Sequence, residues 1–205
     1  ADVGFETYQK ILNEAITELK EAEPVTQTTE TPLKTEQPAK KQSKTYVTDF
    51  QIDTDLEIMF PDEYVSNIPE RIRLYKELNE ISNEEALQIF VNKLTDRFGP
   101  LPPPAADLVD IVRIKWSAIR LGIEKILLKN DLLIANFISD PGSQFYKSEL
   151  FISIMNYVGR KHGQMSVKQK ESKLSLTVKD IRSVRSAIQV LNSILQGIGN
   201  LNYSP

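Results

Sequence analysis

Leu94-Thr95-Asp96-Arg97-Phe98-Gly99-Pro100-Leu101-Pro102 closes one helix, turns the backbone and opens another. Upstream, Leu87, Phe90, Val91, Leu94 and Phe98 fall at the i, i+3, i+4, i+7, i+11 spacing of one helical face. Gly99 supplies the stop and Pro100 cannot continue the helix. Pro102, Pro103 and Pro104 hold φ near the helical value and lack donors, so a second helix can begin there. Two helices therefore meet at this corner, with Phe98 on the side expected to face the core.

At roughly 100° per residue, Asp96 lies opposite the apolar stripe, with Glu85, Ile89 and Asn92 beside it. That face looks into solvent or at a partner. A solvated face is the plainer account, because most exposed charges contribute nothing measurable. Ile89 leans the other way, although single exposed apolar residues are common.

The 205 residues suit one domain with an appendage, and a hydrophobic content of 40% is enough for a core. A net charge of -3 argues against a nucleic-acid surface over the whole chain, while leaving a local patch open. The absence of cysteine rules out disulfides, thiolate zinc sites and cysteine nucleophiles, and is compatible with a reducing, cytoplasmic setting. Apolar runs are short and the first residues have no signal-peptide pattern, so a soluble protein without a membrane partner is expected. Ala1 in place of an initiating methionine leads to the expectation of a fragment of something larger.

Residues 1–20 carry Phe5, Tyr8, Leu12, Ala15, Ile16 and Leu19 on one face of an amphipathic helix with no neighbouring partner in sequence. From Glu21 to Thr45 there are six threonines, three prolines, four acidic residues and four lysines, and no aromatic residue, which predicts a flexible linker over 21–45. The domain proper, 46–205, opens on an extended segment with Phe50, Ile52, Leu56 and Met59 inward. A helix is expected over Pro69 to Ile81, followed by one that a Ser82–Glu85 capping box starts. A third runs from Ala105 to Leu121, with Trp116 on its core side.

The second half mixes element types. Ile123–Leu128 and Leu132–Ile138 form a hairpin about Lys129-Asn130-Asp131. Leu150, Phe151, Ile154, Met155 and Val158 repeat at helical spacing, and strands over Met165–Val167 and Leu174–Val178 flank a turn near Glu171-Ser172. Asp180 is expected to cap a last helix carrying Ile181, Val184, Ile188, Leu191 and Leu195 and ending at Gly197 and Gly199. The class is α+β, helical first and mixed afterwards.

No catalytic, cofactor-binding or metal site is encoded. Neither phosphate-binding glycine motif occurs, and His162, the only histidine, sits in a polar helix exit. Asp53, Asp55, Glu57, Asp62 and Glu63 lack the spacing of a calcium loop and read as solvated loop charge. Lys125, Lys129, Lys161, Lys168, Lys170 and Lys173 have no interleaved aromatics, a weak nucleic-acid signal.

Four stretches together resemble the C-terminal end of the bacterial transcription-repair coupling factors. They are Val3-Gly4-Phe5 through Tyr8, Ile11 and Leu12; Phe60-Pro61-Asp62-Glu63-Tyr64-Val65; Arg71-Ile72-Arg73-Leu74-Tyr75-Lys76; and Leu94 to Pro102, with Leu121-Gly122-Ile123-Glu124-Lys125 extending the match. The resemblance implies that residues 1–20 end a helicase superfamily 2 translocase module, whose ATP and magnesium are bound outside this chain. It implies that 46–205 is a non-catalytic, autoinhibitory domain of a protein that displaces stalled RNA polymerase on DNA and recruits nucleotide excision repair. Such a domain docks in cis on a UvrB-like module and competes with UvrA. The family's acidic docking position falls on Asp96, among Glu85, Ile89, Asn92 and Lys93; where an acidic residue often precedes it by one turn, this chain has Lys93. The alternative is an accessory nucleic-acid grip using Arg71, Arg73 and the scattered lysines.

Overall fold

The computed structural model describes residues 46–201, apart from Thr48, His162, Glu171 and Ser172 and the side chains of Asn200 and Leu201. The helix expected over 1–20, the linker over 21–45 and the polar exit at His162 lie outside the described residues.

The chain runs β1 (Gln51–Thr54), α1 (Ile68–Glu80), α2 (Glu84–Phe98), α3 (Pro103–Arg120), β2 (Ile123–Lys129), β3 (Leu132–Phe137), a 3-10 turn (Gln144–Lys147), α4 (Glu149–Arg160), β4 (Met165–Lys170), β5 (Lys173–Lys179) and α5 (Val184–Leu201). The strands form one sheet in the order β1-β2-β3-β5-β4. β1 pairs with β2 in parallel, which the three intervening helices make possible, and the other pairs are antiparallel. Ile52, Ile126, Leu128, Leu133, Ala135, Leu176 and Val178 occupy one face and are all buried. This is the α+β fold expected.

The corner after α2 forms as its residues dictate. Gly99 adopts φ 87 and ψ -171, open only to glycine at low cost, and its N–H closes the helix on the Thr95 carbonyl at 2.9 Å. Pro103 and Pro104 take the first two positions of α3, where a helix has no use for N–H donors, and the Pro102 carbonyl accepts from Ala105 and Ala106. Tyr64 locks the turn by donating its hydroxyl to the Gly99 carbonyl at 2.9 Å while its ring lies 5.7 Å from that of Phe98. Phe98 is thus half-buried under Tyr64, and the fully buried side chains of α2 are Leu87, Phe90 and Leu94.

Several local expectations are corrected. Asn83, and not a Ser82–Glu85 box, caps α2, its side-chain oxygen accepting from the Ala86 N–H at 2.8 Å. After β1 the core residues are Ile58 and Phe60; Leu56 and Met59 are only half-buried, because the segment leaves the strand geometry after Thr54. Trp116 is half-buried and donates its indole N–H to the Ile81 carbonyl at 3.3 Å. Asp180 does not cap the last helix: it sits at φ 62, while Ser183 and Ser186 exchange side-chain-to-N–H bonds at 3.1 Å at the start of α5. Gly197 and Gly199 lie inside α5, and at Gly197 any Cβ would stand 2.1 Å from the Tyr157 ring of α4. Glycine there serves close helix packing, and the buried stripe is Val184, Ala187, Leu191, Ile194 and Ile198.

Candidate docking face on the second helix

Glu85, Ile89, Asn92 and Asp96 succeed one another at i, i+4, i+7, i+11 along α2, and all four are exposed, Ile89 to 57%. They form one outward strip, as their spacing predicts. Gln88 joins its edge by donating to the Asn92 side chain at 3.0 Å. Among the described residues neither Glu85 nor Asp96 makes an ion pair, so both carboxylates stand uncompensated beside an exposed isoleucine.

The remaining sites named from the sequence lie elsewhere. Lys93 turns towards α1 and pairs with Glu77 at 3.3 Å, so it flanks the strip and does not belong to it. Arg71 is largely covered and pairs with Asp62, while Arg73 shares Glu70 with Arg97, at 2.9 and 2.5 Å. Neither arginine is free to grip a phosphate without surrendering an intramolecular pair. Asp53 is bound to Lys129 at 2.5 Å, and Asp55 accepts the Asn130 N–H at 3.2 Å. No group of carboxylates or histidines among the described residues is arranged to hold a metal. The depression between Asp55, Lys129, Asp131 and Arg182, about 230 Å³, is smaller than ordinary ligand pockets.

The strip is held at a fixed angle by polar ties at the base of α2. Arg113 of α3 forks onto Glu84, donating from Nε at 3.1 and 3.0 Å, and reaches Asp110 at 2.5 Å. These hydrogen bonds hold the Glu84 carboxyl below the usual value, with burial opposing and the guanidinium charge assisting. A depressed folded-state value stabilises the fold above the unfolded-state value, and the contribution is lost as pH falls through the depressed one. Because the Glu84 carboxylate is more than half exposed, its size stays within about 1 kcal/mol. Urea midpoints of the wild type and Glu84→Gln are therefore expected to differ at neutral pH and to converge in acid. A difference independent of pH would remove the ion pair as its cause.

The profile of the TRCF domain family matches residues 54–148, a span that starts at the end of β1 and contains the Tyr64-locked corner and the whole of α2. Over that span the chain is similar to the transcription-repair coupling factor family. The transcription-repair-coupling factor of Rickettsia typhi is 28% identical over 197 residues, covering 95% of this chain and 15% of the relative. That of Staphylococcus haemolyticus is 26% identical over 198 residues, again covering 95% and 15%. The chain thus spans about 15% of the length of these curated relatives. A solved structure described as the C-terminal domain of transcription-repair coupling factor has the same fold, with a TM-score of 0.60, 16% identity, and coverage of 78% of this chain and 98% of that one. The α+β region shares that fold. No helix among its described residues is long and apolar enough to cross a membrane.

Proposed function

We propose that this TRCF domain is a regulatory clamp: a non-catalytic module that docks in cis on the UvrB-like module of its parent protein and masks the surface that UvrA would bind. The exposed strip of α2 carries the proposal, because it combines two unpaired carboxylates, Glu85 and Asp96, with an exposed isoleucine on a helix fixed by the corner beneath it. A charged strip of this kind sets partner choice and salt sensitivity more than raw affinity. The docking contact is free to be weak, since joining both modules in one chain raises the local concentration to about the millimolar range. Competition with an outside partner then makes a two-state switch, in which a coupling of about 1–3 kcal/mol changes exposure several-fold or more.

The parent, in this account, acts in transcription-coupled nucleotide excision repair, an ATP- and magnesium-dependent motor on DNA that meets stalled RNA polymerase in the cytoplasm. None of that chemistry is assigned to residues 46–201. In the full-length parent, Asp96→Lys is expected to raise UvrA retention about 5-fold or more, with an unchanged melting temperature, because Asp96 is exposed and has no ion-pair partner to lose. Unchanged retention together with unchanged ATPase activity would remove Asp96 from the contact.

A further inference from the structure

Side chains alternate between the two faces of the sheet, and the register sorts them. With Ile126, Ala135, Leu176 and Val167 aligned on the covered side, Lys125, Lys129, Lys168, Lys170, Lys173 and Lys179 all project from the other. No residue at an outward position of the five strands is buried, so among the described residues nothing covers this face. Its strand carboxylates are Asp53, which is engaged with Lys129, and Glu124 at the β2 bulge, which accepts from the Ser139 N–H and hydroxyl. The other five lysines make no ion pair among the described residues. Asn136, Ser166, Ser175 and Thr177 lie between them, with the half-buried Leu127, Leu132 and Ile134 on the same face and no aromatic side chain.

We propose that this open lysine face binds the phosphate backbone of duplex DNA. Five cations without an ion pair among the described residues, on one side of a chain whose net charge is -3, are a local concentration of positive charge that calls for a polyanion. Lys125 and Lys168 share a row across the sheet, with Asn136 and Ser175 between them; three strand spacings set them roughly 14 Å apart. Duplex DNA carries one charge per about 1.7 Å of its axis, so that row faces several phosphates at once. Lysines and hydroxyls touch phosphates as point contacts and read no bases. The lack of aromatic platforms selects a duplex over unpaired strands, whose bases require stacking. This face is distinct from the α2 strip and does not rest on the clamp proposal.

The test is fluorescence anisotropy of the 205-residue chain titrated into a short labelled duplex of mixed sequence. Five phosphate contacts predict a salt slope of about -4.5, an affinity loss of about 500-fold between about 50 and 200 mM salt. Lys168→Gln with Lys179→Gln is expected to reduce that slope by about 2. Lys76→Gln with Lys147→Gln, an equal charge change at exposed positions off the sheet, is expected to leave it unaltered. All four side chains are exposed, so circular dichroism melts of both variants should overlay the wild type. Absence of duplex binding at low salt, equal losses in the two variants, or tighter binding to single strands would overturn the proposal. Retention by polyglutamate without any response to duplex would assign the face to an acidic protein and overturn it as well.

Discussion

Phe145→Ala lowers the unfolding free energy of the domain by about 3–5 kcal/mol, the range for removing a fully buried phenylalanine. Phe145 is 0% exposed and stands at the centre of an aromatic cluster, with ring centroids 5.6 Å from Tyr46, 5.8 Å from Phe137, 5.3 Å from Tyr146 and 5.4 Å from Phe151. Edge-to-face geometry dominates these contacts and adds to the burial of area. Gly122 makes room for the ring: it turns the chain at φ 73, and a Cβ there would lie 2.2 Å from a Phe145 ring carbon. The surroundings cannot collapse into the vacancy, because Tyr146 is tied through its hydroxyl to the Ile138 carbonyl and Ser148 caps α4 alongside. A urea melt measures the loss as a fall in midpoint at unchanged slope. A loss below about 1 kcal/mol would show that the cluster does not organise the core.

Leu94→Ala is expected to cost about 2.7–5 kcal/mol, and Phe98→Ala less than about 3 kcal/mol, although both residues lie on the same apolar stripe. Leu94 is 1% exposed at the heart of the helical layer, whereas Phe98 lies half-open at the corner, beneath Tyr64 and with the Arg97 guanidinium 5.1 Å from its ring centre. Parallel urea melts of the two variants check the ranking. The reverse order would mean that the corner, and not the body of α2, carries the packing.

How far the sequence discloses the molecule follows from the range of the interactions involved. The corner at Gly99 was legible because its determinants are local: a stripe at helical spacing, a glycine stop and a proline start within the sixteen residues from Leu87 to Pro102. The Asn130-Asp131 turn was legible for the same reason, both residues taking positive φ at the end of a two-strand pattern. Phe145 was not, since it lies in a short 3-10 turn after Pro141-Gly142 and owes its burial to rings from β3, α4 and the start of the domain. Gly197 was misjudged as a helix stop because the Tyr157 ring that demands it comes from another helix.

The candidate sites divide in the same way. The outward position of Asp96 followed from helical angle alone, and the structure agrees. Lys93 lies one turn from Asp96 in sequence but is drawn sideways by Glu77, a contact that only the antiparallel placement of α1 reveals. The lysines that seemed dispersed come onto one face because β5 inserts between β3 and β4, an order that no local pattern encodes.

Of the two surfaces, the α2 strip bears the central claim. The direct measurement is a calorimetric titration of the 205-residue chain with a separately produced UvrB-like module, at low and moderate salt, alongside Asp96→Lys. Saturable binding that salt weakens and Asp96→Lys reduces about 5-fold or more is the result the clamp predicts. No heat of binding at millimolar concentration, where a tethered contact should still be populated, or binding indifferent to Asp96→Lys, would contradict it.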